Sequence, residues 1–73
     1  MITPSQFVKN RTEQGAQTVD AVRDLARVLC TTERQAWNLH TGKSPARQAH
    51  MLLLTLYEQH PELRPLWPTP PQN

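Results

Sequence analysis

The sequence predicts an all-α fold, a compact bundle of four to five short helices. No window of the chain alternates apolar and polar side chains strictly, as a half-buried strand requires. Instead, helix start signals recur along the chain, and the apolar side chains between them repeat at spacings of three and four residues. These two patterns together favour short amphipathic helices that each bury one face.

The length of the chain allows one small domain. With 73 residues, of which 37% are hydrophobic, we expect a single domain and no second one. A domain this small usually depends on a disulfide, a metal, a partner subunit or regular helix packing. Cys30 is the only cysteine, and the three histidines lie ten residues apart, so neither an internal disulfide nor a metal or other cofactor is expected. Residues 1–67 are assigned to the domain and residues 68–73 to a proline-rich tail.

The first predicted helix begins at Pro4 and ends at Gly15. Thr3 is a suitable N-cap, and proline fits the first helical position because the missing N–H has no partner there. The body of this helix is mostly polar. We therefore expect it to contribute only Phe7 and Val8 to the core.

The second predicted helix begins with Thr18 as its cap and carries one clear amphipathic face. That face is expected to comprise Val19, Val22, Leu25, Ala26 and Leu29. The face ends at Cys30, and within three residues a new capping box begins.

The third predicted helix runs from about Glu33 to Thr41. Thr32 and Gln35 form the capping box at its start, and Gly42 is expected to end it. Its inward positions are Ala36 and Leu39.

Ser44 and Pro45 are predicted to cap and open a longer fourth helix, which is apolar on more than one side. Its inward stripe is expected to comprise Ala46, Ala49, Leu53, Leu56 and Tyr57, widened by Met51, Leu52 and Leu54. The following segment, from Pro61 to Trp67, is expected to form one helical turn at most, because Pro65 stops it.

Positive charge is concentrated in the middle of the chain. The formal net charge is only +2, yet the window from Arg23 to Arg47 holds five basic residues against two acidic ones. An anionic partner is therefore expected to bind there. The longest unbroken apolar run, Met51 to Leu54, is too short to span a bilayer, and no signal-peptide pattern precedes the first helix. We expect a cytoplasmic protein without a membrane partner.

The second helix, a turn of three or four residues and a short third helix make up the arrangement that a helix-turn-helix requires. In that motif the first helix crosses the DNA backbone and the second puts side chains into the major groove. The small Ala26 and Ala36 allow the two helix axes to approach closely. A plain helical hairpin within a small bundle is the alternative that the spacing leaves open.

Three features of this helix pair are shared with a known family. They are the Thr31-Thr32 turn, Leu39 at a core position of the third helix, and the closing Gly42-Lys43-Ser44-Pro45. On these residues the chain resembles the lambda-repressor-like, Cro-type helix-turn-helix family, which includes small phage and mobile-element repressors such as those of anti-CRISPR operons. The resemblance covers roughly residues 18 to 57. It implies a left-handed turn residue at Cys30, where the family usually has glycine, at a cost of about 1 kcal/mol.

The resemblance also implies which residues contact DNA. The candidates for reading base edges are Glu33, Arg34, Gln35 and Asn38, and those for contacting phosphates are Thr32, Lys43 and Arg47. Trp37 lies at the flank, and we expect it to face a partner or the core rather than to read sequence.

The chemistry of the base-reading candidates fits their residue types. Arginine pairs with guanine through two hydrogen bonds, asparagine does so with adenine, and a carboxylate can accept from cytosine. Each residue also has a simpler interpretation: Glu33 can favour the positive end of the helix dipole, Arg34 can be a solvated surface side chain, and Asn38 can be an exposed polar residue.

The sequence therefore predicts a transcriptional regulator, a repressor or autorepressor that binds a palindromic operator in double-stranded DNA as a homodimer. The alternative is a small adaptor or inhibitor that binds a protein through the leucine-rich fourth helix and the C-terminal segment. No glycine-rich phosphate loop and no paired nucleophile and base occur, so neither an enzyme nor a small-molecule substrate is expected. The homodimer interface is expected to include Leu52, Leu63, Leu66 and Trp67.

Overall fold

The computed structural model describes residues 1–67, in which four α-helices are followed by a 3-10 helix. The elements are α1 (Pro4–Glu13), α2 (Thr18–Leu29), α3 (Glu33–Thr41), α4 (Gln48–Gln59) and the 3-10 helix (Pro61–Leu66). No strand occurs in this part of the chain. The predicted all-α class and the number of helices are confirmed.

Helix α2 lies at the centre of the fold and contacts α1, α3 and α4. Six side chains of α2 are buried, and all six are apolar. The helix can therefore pack against its three neighbours at once. The core cluster consists of Phe7, Val8, Ala21, Val22, Leu25, Ala26, Val28, Leu29, Ala36, Leu39 and Leu54.

Helix α1 begins at Pro4, as predicted. The Thr3 hydroxyl caps it by accepting a hydrogen bond from the Gln6 backbone N–H at 3.1 Å. Phe7 and Val8 are buried, together with Pro4. Gly15 follows the helix with a φ of +102°, a left-handed conformation that ends the helix and suits glycine.

The start and the buried face of α2 differ from the prediction. The N-cap is Gln17, one residue before Thr18, and the predicted core residue Val19 is 48% exposed. Ala21 and Val28 are buried instead. Ala21 and Val28 lie four residues before and three residues after Leu25, so they share its face of the helix. The buried side of α2 is therefore centred on this face and excludes Val19.

Helix α4 begins at Gln48, three residues later than predicted. Ser44 N–H donates to the Asn38 carbonyl at 3.1 Å, so the start of the connection is held against α3. Residues 45–47 then have to cross to α4, and Arg47 is extended (φ −87°, ψ 160°) as the N-cap. His50 Nδ1 accepts the Arg47 N–H at 3.2 Å and satisfies this helix end.

The inward face of α4 is confirmed in part. Leu53 and Tyr57 pack against the core and Leu54 is fully buried, as predicted, whereas Ala49 and Leu52 are exposed on the opposite side. The inward face includes the partly buried Glu58, which forms an ion pair with Arg11 of α1 at 2.8 Å. A polar residue on the inward face is invisible to an apolar pattern, so the prediction omitted Glu58.

The segment after α4 forms a longer helix than the single turn predicted. Its 3-10 bonds include Leu63 N–H to the His60 carbonyl and Trp67 N–H to the Arg64 carbonyl, both 3.0 Å, and neither needs a donor at Pro65. The pKa of Glu62 lies below its usual range, because its own backbone N–H and the His60 side chain hydrogen bond to the carboxylate. The predicted proline-rich tail, residues 68–73, lies outside the described residues.

The described chain ends with Trp67 folded back on the core. Its indole Nε1 donates to the Val28 carbonyl at 2.6 Å, and its ring meets Tyr57 edge-on at 5.2 Å. The Val28 carbonyl belongs to the last turn of α2, where carbonyls lack a partner within the helix. The C-terminal segment therefore closes the end of α2 that precedes α3.

Candidate nucleic-acid interface

Helices α2 and α3 are joined by a turn of three residues, Cys30–Thr32. Cys30 is left-handed (φ 55°, ψ 45°), as expected, and Thr31 N–H donates to the Ala26 carbonyl at 3.0 Å, a bond typical of a helix closed by a left-handed residue. The Thr32 hydroxyl accepts the Gln35 N–H at 3.2 Å and caps α3. The predicted ends of α3 are thus confirmed.

The facing sides of α2 and α3 are apolar and buried. The side chains that fill this space are Leu25, Ala26 and Leu29 of α2 and Ala36 and Leu39 of α3. Because two of these residues are alanines, the two helices can lie close together. The remaining side of α3 is thereby turned outward.

The outward side of α3 is polar apart from one tryptophan. Arg34, Trp37 and Thr41 are exposed, and Asn38 is half-buried. Arg34 and Asn38 are separated by one helical turn, so they lie next to each other on the same side. This arrangement can offer guanidinium donors and an amide to one groove of a duplex.

Glu33, at the start of α3, interacts with α2. Its Oε1 lies 3.4 Å from Arg23 Nε, and Arg23 Nη1 lies 3.8 Å from Asp20 Oδ1. The pair links the first turn of α3 to α2 and partly neutralises the Glu33 carboxylate. Both side chains remain exposed, so the pair can open toward a ligand.

Two cationic side chains follow α3 along the chain. Lys43 and Arg47 are both exposed. Arg47 lines a surface pocket of about 280 Å³ together with Gln35, Ser44, Pro45 and His50. Because residues before and after the connection between α3 and α4 line the same pocket, this connection runs beside the first half of α3. Arg47 and the half-buried Gln35 therefore lie on the same flank of α3.

Three cations on or just after α3 form no ion pair within residues 1–67: Arg34, Lys43 and Arg47. Lys9 of α1 and Arg27 of α2 are likewise exposed and unpaired in that range, whereas Arg11, Arg23 and Arg64 each form an ion pair. Thr32 is half-buried and serves as the helix cap. Three of the five unpaired cations among residues 1–67 therefore lie on α3 or in the connection that follows it.

Trp37 is exposed, so of the two environments expected for it, a partner or the core, the core is excluded. Its side of α3 is the outward one, 36% of the residue is exposed, and its ring meets His40 edge-on at 5.9 Å. The His40 carbonyl accepts a hydrogen bond from Ser5 Oγ at 2.8 Å, which ties the end of α3 to α1. The available sequence signal was that position 37 lies off the line through Ala36 and Leu39.

The four residues predicted at a homodimer interface have different environments. Leu52 and Leu66 are 48% and 80% exposed, and Leu63 is half-buried. Trp67 contacts its own chain, as described above. The surface available to a second copy is therefore smaller than the sequence suggests.

Neither a metal-binding cluster nor a membrane-spanning helix accompanies this surface in the part of the chain that the structure describes. Within residues 1–67, no group of three or more His, Cys, Asp or Glu side chains could hold a metal ion. None of the helices in that range combines the length and apolar character needed to cross a membrane. Comparisons with protein-family models, with curated proteins and with solved structures found no match to this chain.

Proposed function

We propose that this protein is a sequence-specific DNA-binding regulator that presents α3 to the major groove of a duplex. In this proposal α2, the turn Cys30–Thr32 and α3 act as a helix-turn-helix. The observation that carries the proposal is the outward side of α3, where Arg34 and Asn38 lie one turn apart on a helix held from behind by α2. A short helix that is buried on one side and polar on the other has the shape that groove reading needs.

The charges around α3 support a polyanionic ligand. Arg34, Lys43 and Arg47 are exposed and unpaired within the described residues. Lys43 and Arg47 follow the end of α3, where a bound duplex would bring its backbone close, so we assign them to phosphates. Such contacts release counterions from any sequence and add affinity without specificity.

Different side chains of α3 are assigned to different bases. We assign Arg34 to a guanine and Asn38 to an adenine, and place Gln35 at the edge of the contact beside Arg47. Glu33 can accept from a cytosine only if it leaves Arg23, because the two are 3.4 Å apart. Its contribution is therefore smaller than that of Arg34.

We further propose that two copies bind a palindromic operator and repress transcription, including that of the protein's own gene. Leu52 and Leu66 are large apolar side chains that this chain leaves exposed, and a symmetric pair of copies would cover them. Dimers of this kind bind half-sites about one DNA turn, roughly 34 Å, apart.

Selection from a random-sequence duplex library, followed by salt titration, tests the proposal. The wild-type protein should enrich an inverted repeat and should bind it with a steep dependence on salt. The same repeat should occur upstream of its own coding sequence. Failure to enrich any sequence, or binding that is indifferent to salt, would contradict a role as a DNA-binding regulator.

Two lysine variants sharpen this test. Lys43→Ala should weaken binding to the selected and to random duplexes alike and reduce the salt slope by about one unit. Lys9→Ala removes the same charge from an exposed position on α1 and should leave the slope unchanged. Equal effects of the two variants on the salt slope would mean that DNA affinity depends on the net charge of the protein and not on the position of Lys43.

A protein-binding adaptor is the second candidate, and the exposure of Leu66 at 80% is the observation that favours it. In this case a partner protein covers the outer side of α4 and the 3-10 helix. A stoichiometric protein complex in the absence of any DNA affinity would support the adaptor and exclude the regulator.

A further inference from the structure

Trp37 is a large apolar side chain on an otherwise polar surface. It lies three residues after Arg34 and four before Thr41, so all three belong to the outward side of α3. The neighbouring side of the same helix already supplies the core with Ala36 and Leu39. Trp37 is not part of that core cluster, and 36% of it remains exposed.

The environment of Trp37 restrains the indole. His40 meets it edge-on at a ring distance of 5.9 Å, and the His40 backbone is in turn fixed by the hydrogen bond from Ser5 of α1. An aromatic side chain has only two rotatable bonds, so binding through it costs little conformational entropy. The ring is thus a preformed apolar contact surface beside Arg34.

The charges around this ring indicate its occupant. An apolar protein surface would have to cover Arg34 along with Trp37 and leave the guanidinium without water, which is costly. A DNA duplex instead supplies phosphates and base acceptors to the cations near α3. The single apolar group that a base pair offers in the major groove is the C5-methyl of thymine.

We propose that Trp37 is a specificity-determining residue that contacts the C5-methyl group of a thymine close to the base pair read by Arg34. This inference rests on the proposed function, since it requires α3 to lie in the major groove. It adds a preference for thymine that hydrogen-bonding side chains alone would not produce. The preference is carried by one methyl group.

Replacing thymine by deoxyuridine tests the inference, because the two bases pair identically and differ only by that methyl group. The probe is the duplex that wild-type protein selects from a random library, with its thymines replaced one at a time. At one thymine in each half-site, the replacement should weaken wild-type binding about fourfold, the factor expected for burying one methyl group. Trp37→Ala should bind the thymine and deoxyuridine forms of that duplex equally well.

A control separates this effect from the loss of any exposed apolar side chain. Val19→Ala shortens an exposed residue of α2 and should keep the full preference for thymine. Circular dichroism should show that Trp37→Ala is folded, since the core of α3 is untouched. A Trp37→Ala protein that keeps the wild-type preference, or a wild-type protein indifferent to every replacement, would overturn the inference while leaving DNA binding intact.

Two further outcomes are informative. If no duplex is selected at all, the proposed function fails and this inference with it. If Trp37→Ala changes the association state of the protein without DNA while the thymine preference persists, the ring contacts a second copy and the inference is wrong.

Discussion

At the scale of single residues, the outward position of Arg34 leads to the most specific prediction about DNA binding. Arg34→Ala should cost about 1 to 3 kcal/mol on the selected duplex and relax the preference at one base pair per half-site, a guanine. Its affinity for random duplexes should hardly change. Quantitative binding to a set of single-substitution duplexes measures both effects.

Arg47→Ala is the matched control for Arg34→Ala, since it removes the same group from a position assigned to phosphate. It should lower affinity for all duplexes and leave the base preference intact. Thermal melting should be nearly unchanged for both variants, because both side chains are exposed. If Arg34→Ala keeps the wild-type base preference, the role assigned to Arg34 belongs instead to Glu33 and Gln35, beside Asn38.

Cys30 provides a prediction about stability. Its φ of 55° places a β-carbon in the left-handed region, where every residue except glycine is strained. Cys30→Gly and Cys30→Ala both remove the thiol, so a comparison of the two isolates the backbone. The glycine variant should be more stable by about 1 kcal/mol, the reverse of the usual order within helices.

Urea unfolding of the two Cys30 variants measures this difference. A preference for alanine would mean that the turn relaxes out of the left-handed region when the side chain is changed. The same turn sets the position of α3, so the more stable variant should also keep full DNA affinity.

At the scale of helices, the ion pair between α1 and α4 is expected to stabilise the fold. Arg11 Nη2 and Glu58 Oε1 are 2.8 Å apart and partly buried, and the Arg11 guanidinium also lies over the Phe7 ring at 4.8 Å. A double-mutant cycle with Arg11→Met and Glu58→Gln should give a coupling energy of about 1 kcal/mol.

The exposed pair of Arg23 and Asp20 serves as the control for this cycle. Its atoms are 3.8 Å apart and both side chains are well exposed, so its coupling energy should fall below about 0.5 kcal/mol. Equal coupling energies in the two cycles would show that burial adds nothing to the Arg11 pair. Unfolding by urea, followed by circular dichroism, supplies the free energies.

The helices also show which parts of the fold a sequence can predict. Both ends of α3 were predicted to the residue, because Thr32 and Gly42 each carry the chemistry that ends a helix locally. The start of α4 differs from the prediction, because Ser44 does not cap α4: its backbone N–H donates to the Asn38 carbonyl of α3 instead. The capping signals were therefore sufficient for α3 but not for α4, where a hydrogen bond back to the preceding helix competes with them.

The same distinction applies to the candidate site. The exposure of Arg34 and the half-burial of Asn38 follow from the spacing of the core residues of α3, and a sequence supplies that spacing. The pairing of Glu33 with Arg23 joins two helices and depends on how they cross. The closeness of Arg47 to Gln35 likewise depends on the path of the loop.

At the scale of the whole molecule, the residues predicted at the homodimer interface include one that stabilises the fold and two that are exposed to a partner. Trp67 donates to the Val28 carbonyl and packs on Tyr57, so it stabilises its own chain. Leu52 and Leu66 remain exposed and are the residues that association of two copies would bury. Substitutions at these positions should therefore have different effects on assembly.

Sedimentation equilibrium at micromolar concentration should find a dimer for the wild-type protein and a shift toward monomer for Leu66→Glu, because a charge in an apolar interface loses its hydration. Trp67→Phe should lose about 1 kcal/mol of stability with its hydrogen bond to Val28 and remain a dimer. On DNA, Leu66→Glu should bind a duplex with one half-site as the wild type does, but should lose the gain that a second half-site confers. The added affinity from a second half-site requires two linked copies of the protein. If a monomeric Leu66→Glu variant keeps this added affinity, or if the wild-type protein is strictly monomeric, association through this surface is excluded.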